Sequence, residues 1–209
     1  MEYIEGRGVR RCECRLRKIR ELKLNAIPPK FAGLTFDTLT PRTDLHIKQA
    51  EIVKAIQANP FQSYFFGGRF GTGKSVFMWT LYRHAIEQNA PKVVVCTLAE
   101  LLAEFRASIQ ASINHEMPII PRLNAEELRQ NHTRYSIFLD DIDKARPTEY
   151  AAEQLFEIVN AIYEYQHQVV VTTNLTLGEC VNHFDRADER FGGAIIRRLI
   201  ENAQVFELF

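Results

Sequence analysis

The chain has 209 residues, enough for one full-sized α/β domain plus a short extension. Lys plus Arg and Asp plus Glu number 26 each, so net charge argues for neither nucleic acid nor a membrane surface as a general partner. No apolar run approaches the roughly 20 residues a membrane helix needs, the start with Glu2 and Glu5 is no signal peptide, and four cysteines without a regular framework fit a reducing, cytoplasmic setting.

Charge is uneven along the chain. Over residues 1–30, nine Lys or Arg face four Glu, a balance of +5. Residues 1–25 therefore read as a basic arm and 26–209 as the main domain. The arm carries Cys12-Glu13-Cys14. Two soft ligands one residue apart can be half of a zinc site, but zinc takes four, and Cys96 and Cys180 fall in the expected core. An arm with two free thiols is the plainer reading, and zinc is not expected in this chain alone. After Pro28-Pro29, Thr43-Asp44 offers an N-cap for a helix over 45–57. A first core strand is expected over 61–66, where Phe61, Tyr64, Phe65 and Phe66 cluster.

That strand leads into Gly68-Arg69-Phe70-Gly71-Thr72-Gly73-Lys74-Ser75, which fits G-x-x-x-x-G-K-[ST] between a strand and the helical run 75–86. Such a loop turns successive backbone N–H groups into one concavity, and glycines at 68, 71 and 73 keep Cβ atoms out of the way. Lys74 supplies a cation for β/γ-phosphates and Ser75 a hydroxyl for Mg2+, while the helix presents its positive end to the anion. The loop is a nucleotide-phosphate site.

Beyond it, strands and helices alternate. Residues 92–97 (Lys-Val-Val-Val-Cys-Thr) read as a strand buried on both faces. Leu98, Leu101, Leu102, Phe105 and Ile109 repeat at helical spacing over 98–112. Pro118 and Pro121 mark a loop over 113–123, and Asn124 with Glu127 resembles a capping box for a short helix to 130. A strand over 135–139 ends in Asp140-Asp141. Pro147-Thr148 then opens a helix with Leu155, Ile158, Val159 and Ile162 on one face. A strand over 168–173 ends at Asn174, Thr176 with Glu179 forms a further box, helices run to about 200, and a last strand covers 204–208. Alternation at this spacing implies a three-layer α/β fold around a parallel sheet.

Strands of open α/β sheets present their carboxyl ends to the ligand crevice, which brings Asp140 and Asp141 beside the phosphates. Asp140 can join the Mg2+ shell and Asp141 can orient a water for attack on the γ-phosphate. Asp143, nearby, reads as loop surface. Asn174, at the tip of the next strand, can hydrogen-bond the γ-phosphate or that water, although Asn also favours the turn that follows. Arg197 and Arg198 lie on a late helix, where they are either a solvated face or a source of positive charge for a neighbouring subunit's phosphates.

Taken together, residues 68–75, Phe138-Leu139-Asp140-Asp141-Ile142, Val170-Val171-Thr172-Thr173-Asn174-Leu175 and Ile195-Ile196-Arg197-Arg198-Leu199 resemble AAA+ ATPases. More narrowly, Ala26-Ile27-Pro28-Pro29-Lys30-Phe31 with Leu34-Thr35-Phe36-Asp37, Ile158-Val159-Asn160 with Tyr163, and Val9-Arg10-Arg11-Cys12-Glu13-Cys14-Arg15 are similar to the DnaC/DnaI helicase loaders and the IstB transposition helpers. The resemblance covers nearly the whole chain. It implies a P-loop NTPase with ATP or ADP and Mg2+, and no separate C-terminal lid domain. Residues 68–75 would bind phosphate, Ser75 and Asp140 the Mg2+. Asp141 would be the catalytic acid, Asn174 the γ-phosphate sensor, and Arg198 an arginine finger acting across a subunit interface, with Arg197 as the alternative. It also implies a replicative DNA helicase, single-stranded DNA and further copies of this chain as partners.

Three positions depart from that pattern. Asp141 stands where Glu is frequent, Ile162 where an arginine is frequent, and the cysteine pair expected upstream of Cys12 is missing. A transposition helper shares every site residue with a loader. A small-molecule kinase fits less well, because no lid of closely spaced arginines follows the loop and Asp140, Asp141 and Asn174 suit water activation.

Overall fold

The apolar runs between turn residues pair into one five-stranded sheet, and the amphipathic runs cover its two faces. The computed structural model describes residues 2–3, 9–10, 13–40, 46–115, 117, 119–130 and 133–209. Two short strands, β1 (Glu2–Tyr3) and β2 (Val9–Arg10), pair antiparallel ahead of α1 (Glu13–Asn25). Then follow α2 (His46–Ala58), β3 (Ser63–Gly68), α3 (Lys74–Glu87), β4 (Lys92–Thr97), α4 (Leu98–Ile113), α5 (Ala125–Gln130) and β5 (Tyr135–Asp140). The chain continues through α6 (Glu149–Glu164), β6 (Gln168–Thr173), α7 (Leu177–Asp185), α8 (Gly192–Glu201) and β7 (Ala203–Leu208).

The sheet runs β4-β5-β6-β3-β7, parallel throughout. Side chains alternate across it, as the period of a strand requires. Tyr64, Phe66, Phe138 and Val170 point to α2 and α3 with Ile52, Ile56, Phe77 and Met78. Phe65, Ile137, Leu139, Val169 and Val171 point to the opposite layer with Leu101, Leu155, Ile158, Phe184 and Ile195. This three-layer α/β architecture is the expected one, and it sets β3 between β6 and β7 with the phosphate loop at its carboxyl end.

Several local expectations shift. The first core strand begins two residues later than expected and takes in Gly67 and Gly68, which pair with Thr173 and Leu208 respectively. Gly68 has φ 150°, and a Cβ there would lie 2.6 Å from Leu208, so the approach of β7 requires glycine. β4 contributes to both core layers, Val93 to one and Cys96 to the other, but is less closed than expected. It is an edge strand whose Val93 and Cys96 are buried while its other four residues are partly open.

The basic arm contains a helix, α1, although it lacks an apolar stripe. Its end is tied down by Tyr82 Oη donating to Lys23 O (3.0 Å), by Arg20 bonding Asn89, and by Leu24 packing into the α2/α3 layer. Cys14 is disulfide-bonded rather than a free thiol, whereas Cys12 and the expected cap at 43–44 lie outside the described residues. The caps at Thr148 and Thr176 form as their sequences suggest, each hydroxyl accepting a first-turn N–H, and Thr97 caps α4 in the same way. Among the described residues no helix is long and apolar enough to cross a membrane.

Candidate functional site

A groove of about 620 Å3 opens at the carboxyl ends of the strands, lined by residues of the phosphate loop together with Asp140, Asp141, Lys144 and Asn174. Gly71 and Gly73 take φ of 80° and 92°, turning the loop so that α3 starts at Lys74. Side chains and strand ends brace it. Thr72 Oγ1 donates to Arg69 O (2.8 Å), Gln49 Nε2 on α2 donates to Thr72 O (3.0 Å), and Arg69 N donates to Leu208 O (3.1 Å).

Lys74 is buried, and its Nζ donates to Gly68 O (2.7 Å) and Arg69 O (2.8 Å). Burial pushes its pKa down, opposed by the carboxylates of Asp141, Asp143 and Asp140. The ammonium thus rests on two carbonyls of its own loop, where an anion entering the loop can engage it. Phe70 stands out into solvent, 77% exposed, with Lys144 Nζ 5.7 Å from its ring centroid.

The tips of β5 and β6 supply the acids and their partners. Asp140 Oδ1 accepts from Thr172 Oγ1 (2.5 Å) and, more loosely, from Ser75 Oγ (3.4 Å). Burial raises the Asp140 pKa, and the bond from Thr172 works against that rise. Asp141 has φ 53°, in the left-handed region, and its N–H donates to Thr172 Oγ1 (2.9 Å). Its carboxylate is paired with Lys144.

Asp143 is not loop surface. Its Oδ1 accepts from Thr173 Oγ1 (3.0 Å) and Asn174 N (2.9 Å), and its Oδ2 accepts from Asn174 Nδ2 (2.9 Å). Burial alone would raise its pKa, but these bonds outweigh it and hold the carboxyl below the usual range. Asn174 therefore lines the groove with its amide nitrogen engaged by Asp143. Neither Thr172 nor Asp143 is identified by sequence motif. The signal available was the register of β5 on β6, which sets Leu139 opposite Val171 and so brings the following residues of both strands together.

Ser75 and Asp140 together form an oxygen-donor pair at the end of the loop. A hydroxyl and a carboxylate suit a hard cation such as Mg2+, which is commonly held by one or two side-chain oxygens with phosphate and water. Among the described residues no group of three or more His, Cys, Asp or Glu forms a separate metal cluster.

Beside the loop, Leu34, Leu39, Val53, Val76 and Phe77 wall a mostly apolar pocket of about 160 Å3 that shares Gly71 and Gly73 with it. No sequence motif marked this pocket, since its wall is assembled from residues 34–40, α2 and α3. Arg197 and Arg198, by contrast, do not line the groove of their own chain. Arg197 is exposed. Arg198 donates to Glu201 Oε2 (3.1 Å) and lies 4.3 Å over the Tyr163 ring.

Residues 35–197, well over half of the chain, match the family model described as the bacterial DnaA ATPase domain. The chromosomal replication initiator protein DnaA of Thermodesulfovibrio yellowstonii is 26% identical over 184 residues, 86% of this chain and 39% of that protein. The chain therefore spans about two fifths of the length of that relative. Among solved structures, the DnaC helicase loader superposes with a TM-score of 0.64 at 13% identity, over 87% of this chain and 100% of that one. Replication initiator DnaA bound to AMPPCP and single-stranded DNA superposes with a TM-score of 0.58 at 15% identity, over 88% of this chain and 51% of that one. At such identities the structural likenesses establish the fold.

Proposed function

Because the chain belongs to the bacterial DnaA ATPase-domain family, we propose that it is an ATP-hydrolysing DNA replication protein that acts as a helicase loader. The observation that carries the ATPase reading is the convergence of the phosphate loop with Ser75, Asp140, Asp141 and Asn174 on one groove. The phosphates bind the N–H groups of residues 68–75, and the base enters the adjoining apolar pocket. Ser75 and Asp140 would hold Mg2+, which would supply charge neutralisation for the phosphates. Asp141 orients a water for in-line attack on the γ-phosphorus. The bond to the β,γ-bridging oxygen breaks, ADP leaves, and the water's proton passes to solvent or to Asp141. Asn174 exchanges its bond to Asp143 for one to the γ-phosphate, reporting its presence to β6. Arg198, remote from its own groove, is the residue offered to the site of a second subunit, so ATP bridges the interface.

The loader reading, as distinct from an initiator, rests on the resemblance of residues 9–15 and 26–37 to helicase loaders and on the likeness in fold to the DnaC helicase loader. Single-stranded DNA and a replicative helicase are the partners it implies, and DnaA with AMPPCP and single-stranded DNA shares the fold. A transposition helper would use the same ATP site with a transposase as its partner.

Size-exclusion chromatography with the organism's replicative helicase, with and without ATP, tests the loader reading. A co-eluting complex is expected, and separate elution under both conditions overturns it. Asp141→Asn should bind a fluorescent ATP analogue normally and lose hydrolysis by about a hundredfold or more. Wild-type turnover in that variant would remove Asp141 from its role.

A further inference from the structure

The two acids at the end of β5 are neighbours in sequence, yet their proposed roles differ: one holds a metal, the other a water. β5 ends at the first of them, so strand geometry alone does not set the direction of the second. An extended strand sends successive side chains to opposite faces, and here the chain leaves the extended conformation at Asp141, with φ 53°. A non-glycine residue in that region is uncommon and persists only where surrounding contacts hold it.

From within the turn the Lys144 N–H donates to Asp141 O (3.1 Å); from β6 one residue makes the contacts. Thr172, with no exposed surface, donates its hydroxyl to Asp140 Oδ1 (2.5 Å) and accepts the Asp141 N–H on the same oxygen (2.9 Å). Its carbonyl accepts the Ile142 N–H (3.1 Å). Three successive residues, the last of β5 and the two after it, thus end on a single residue of β6. The hydroxyl uses its proton on the first acid and a lone pair on the backbone of the second, a donor-acceptor combination that neither Val nor Ala provides. Asp140 is thereby aimed at Ser75, and the left-handed turn that follows swings Asp141 out towards Lys144. The next two residues, Thr173 at the end of β6 and Asn174 just beyond it, are occupied by Asp143, so they leave Thr172 as the one residue of that strand tip bound to both acids.

We infer that Thr172 is a positioning residue that sets Asp140 and Asp141 in their separate orientations through one buried hydroxyl. The inference rests on the ATPase reading for its kinetic consequence. The geometry also predicts an effect on metal-dependent nucleotide binding, which needs no turnover.

Thr172→Val, nearly isosteric, removes both hydroxyl bonds. Its kcat for ATP should fall about 10- to 100-fold, the range seen when a group orienting a metal ligand is lost. Affinity for a fluorescent ADP analogue at saturating Mg2+ should stay within about twofold, because the phosphate loop is untouched. The Mg2+ concentration that half-saturates the tightening of that analogue should rise about tenfold. Thr172→Ser keeps the hydroxyl and should lie within about threefold of wild type in both measurements. If Thr172→Val fails to fold, as thermal melting would reveal, Thr172→Cys replaces it, its thiol being a weak donor and acceptor of similar size.

Wild-type kcat and Mg2+ midpoint in the Val or Cys variant would overturn the inference. So would a Ser variant as impaired as Val, since that would make the methyl group, not the hydroxyl, the important part. A wild-type protein that binds the analogue but hydrolyses no ATP sinks the ATPase reading alone, and the Mg2+ titration still decides the role of Thr172.

Discussion

The two ends of β6 bond to partners of opposite kind. At the amino end, His167 Nδ1 accepts the Tyr135 N–H (3.2 Å), so the proton sits on Nε2, which donates to Leu128 O (3.0 Å). Gln168 Nε2 donates to Pro60 O and Gln62 O, both at 3.0 Å, and Ser63 Oγ accepts the Val169 N–H (3.0 Å). Every partner there is uncharged: four main-chain groups and the Ser63 hydroxyl. At the carboxyl end, Thr172, Thr173 and Asn174 bond instead to the carboxylates of Asp140 and Asp143. Neutral bonds in a buried setting fix the strand in place. Clustered carboxylates beside Lys74 and Lys144 are costly to gather and leave groups that a ligand can rearrange. The same strand is anchored below and reactive above.

That contrast can be broken first at its anchored end. His167→Ala leaves the Tyr135 N–H and the Leu128 carbonyl without their buried partner and removes a ring packed edge-on against Tyr135 at 5.1 Å. A loss of about 3 kcal/mol in urea unfolding is expected, with the affinity of the remaining folded protein for nucleotide unchanged. An equal loss of nucleotide affinity would mean the two ends are not independent. At the reactive end the balance should reverse. Asp143→Ala unpairs both nitrogens of Asn174 and takes one of three partners from Thr173 Oγ1, for about 1–2 kcal/mol of stability. Because Asn174 loses its alignment, ATP turnover should fall by about tenfold while binding persists. Stability loss with normal turnover would confine Asp143 to a structural role.

A smaller effect separates the ends by pH. Burial holds His167 below the usual histidine value of 6.5, with the bond to Leu128 opposing that shift. A depressed pKa means the unfolded state takes the proton more readily, so this stability is present above pH 6.5 and drains as pH falls through and below it. Asp143 is also depressed, but from 3.8, so its contribution survives until much stronger acid. His84, packed between Phe36 and Phe61, is lowered as well and shares the first window. Unfolding measured from pH 7.5 to 5 should therefore weaken in wild type and weaken less in His167→Ala. An identical slope in both would remove His167 from the titration.

The phosphate loop and the strand-end acids were legible in the sequence because their requirements are local. Gly68, Gly71 and Gly73 are needed wherever a backbone must turn with positive φ, and Lys74-Ser75 follow at fixed spacing. Helix caps at Thr148 and Thr176 are equally local. Thr172 and Asp143 were not legible, because their meaning depends on β6 being the neighbour of β5 and on the left-handed step at Asp141. The openness of β4 was hidden for a related reason. Lys-Val-Val-Val-Cys-Thr reads as an interior strand, but strand order made it an edge, and an edge strand lacks a covering neighbour on one side. The α1 helix escaped notice because main-chain and polar contacts to α3 hold it where an apolar stripe is absent.

The smallest expected effect concerns Arg198, which lies outside both ends of β6. Within its own chain it pairs with Glu201 three residues on and stacks over Tyr163, whose hydroxyl also donates to Glu201 (3.1 Å). Both side chains of the ion pair are one-third exposed, at 33% each. A pair that open contributes about 0.5 kcal/mol and is screened by salt, and the ring contact adds a similar amount. Arg198→Ala should therefore lower the unfolding free energy by no more than about 1 kcal/mol and leave nucleotide affinity unchanged. If the side chain serves a neighbouring subunit, ATP turnover should nonetheless fall, more steeply at protein concentrations where the wild type self-associates. A turnover defect independent of protein concentration would place Arg198 in the service of its own fold, and a melting shift well above that bound would do the same.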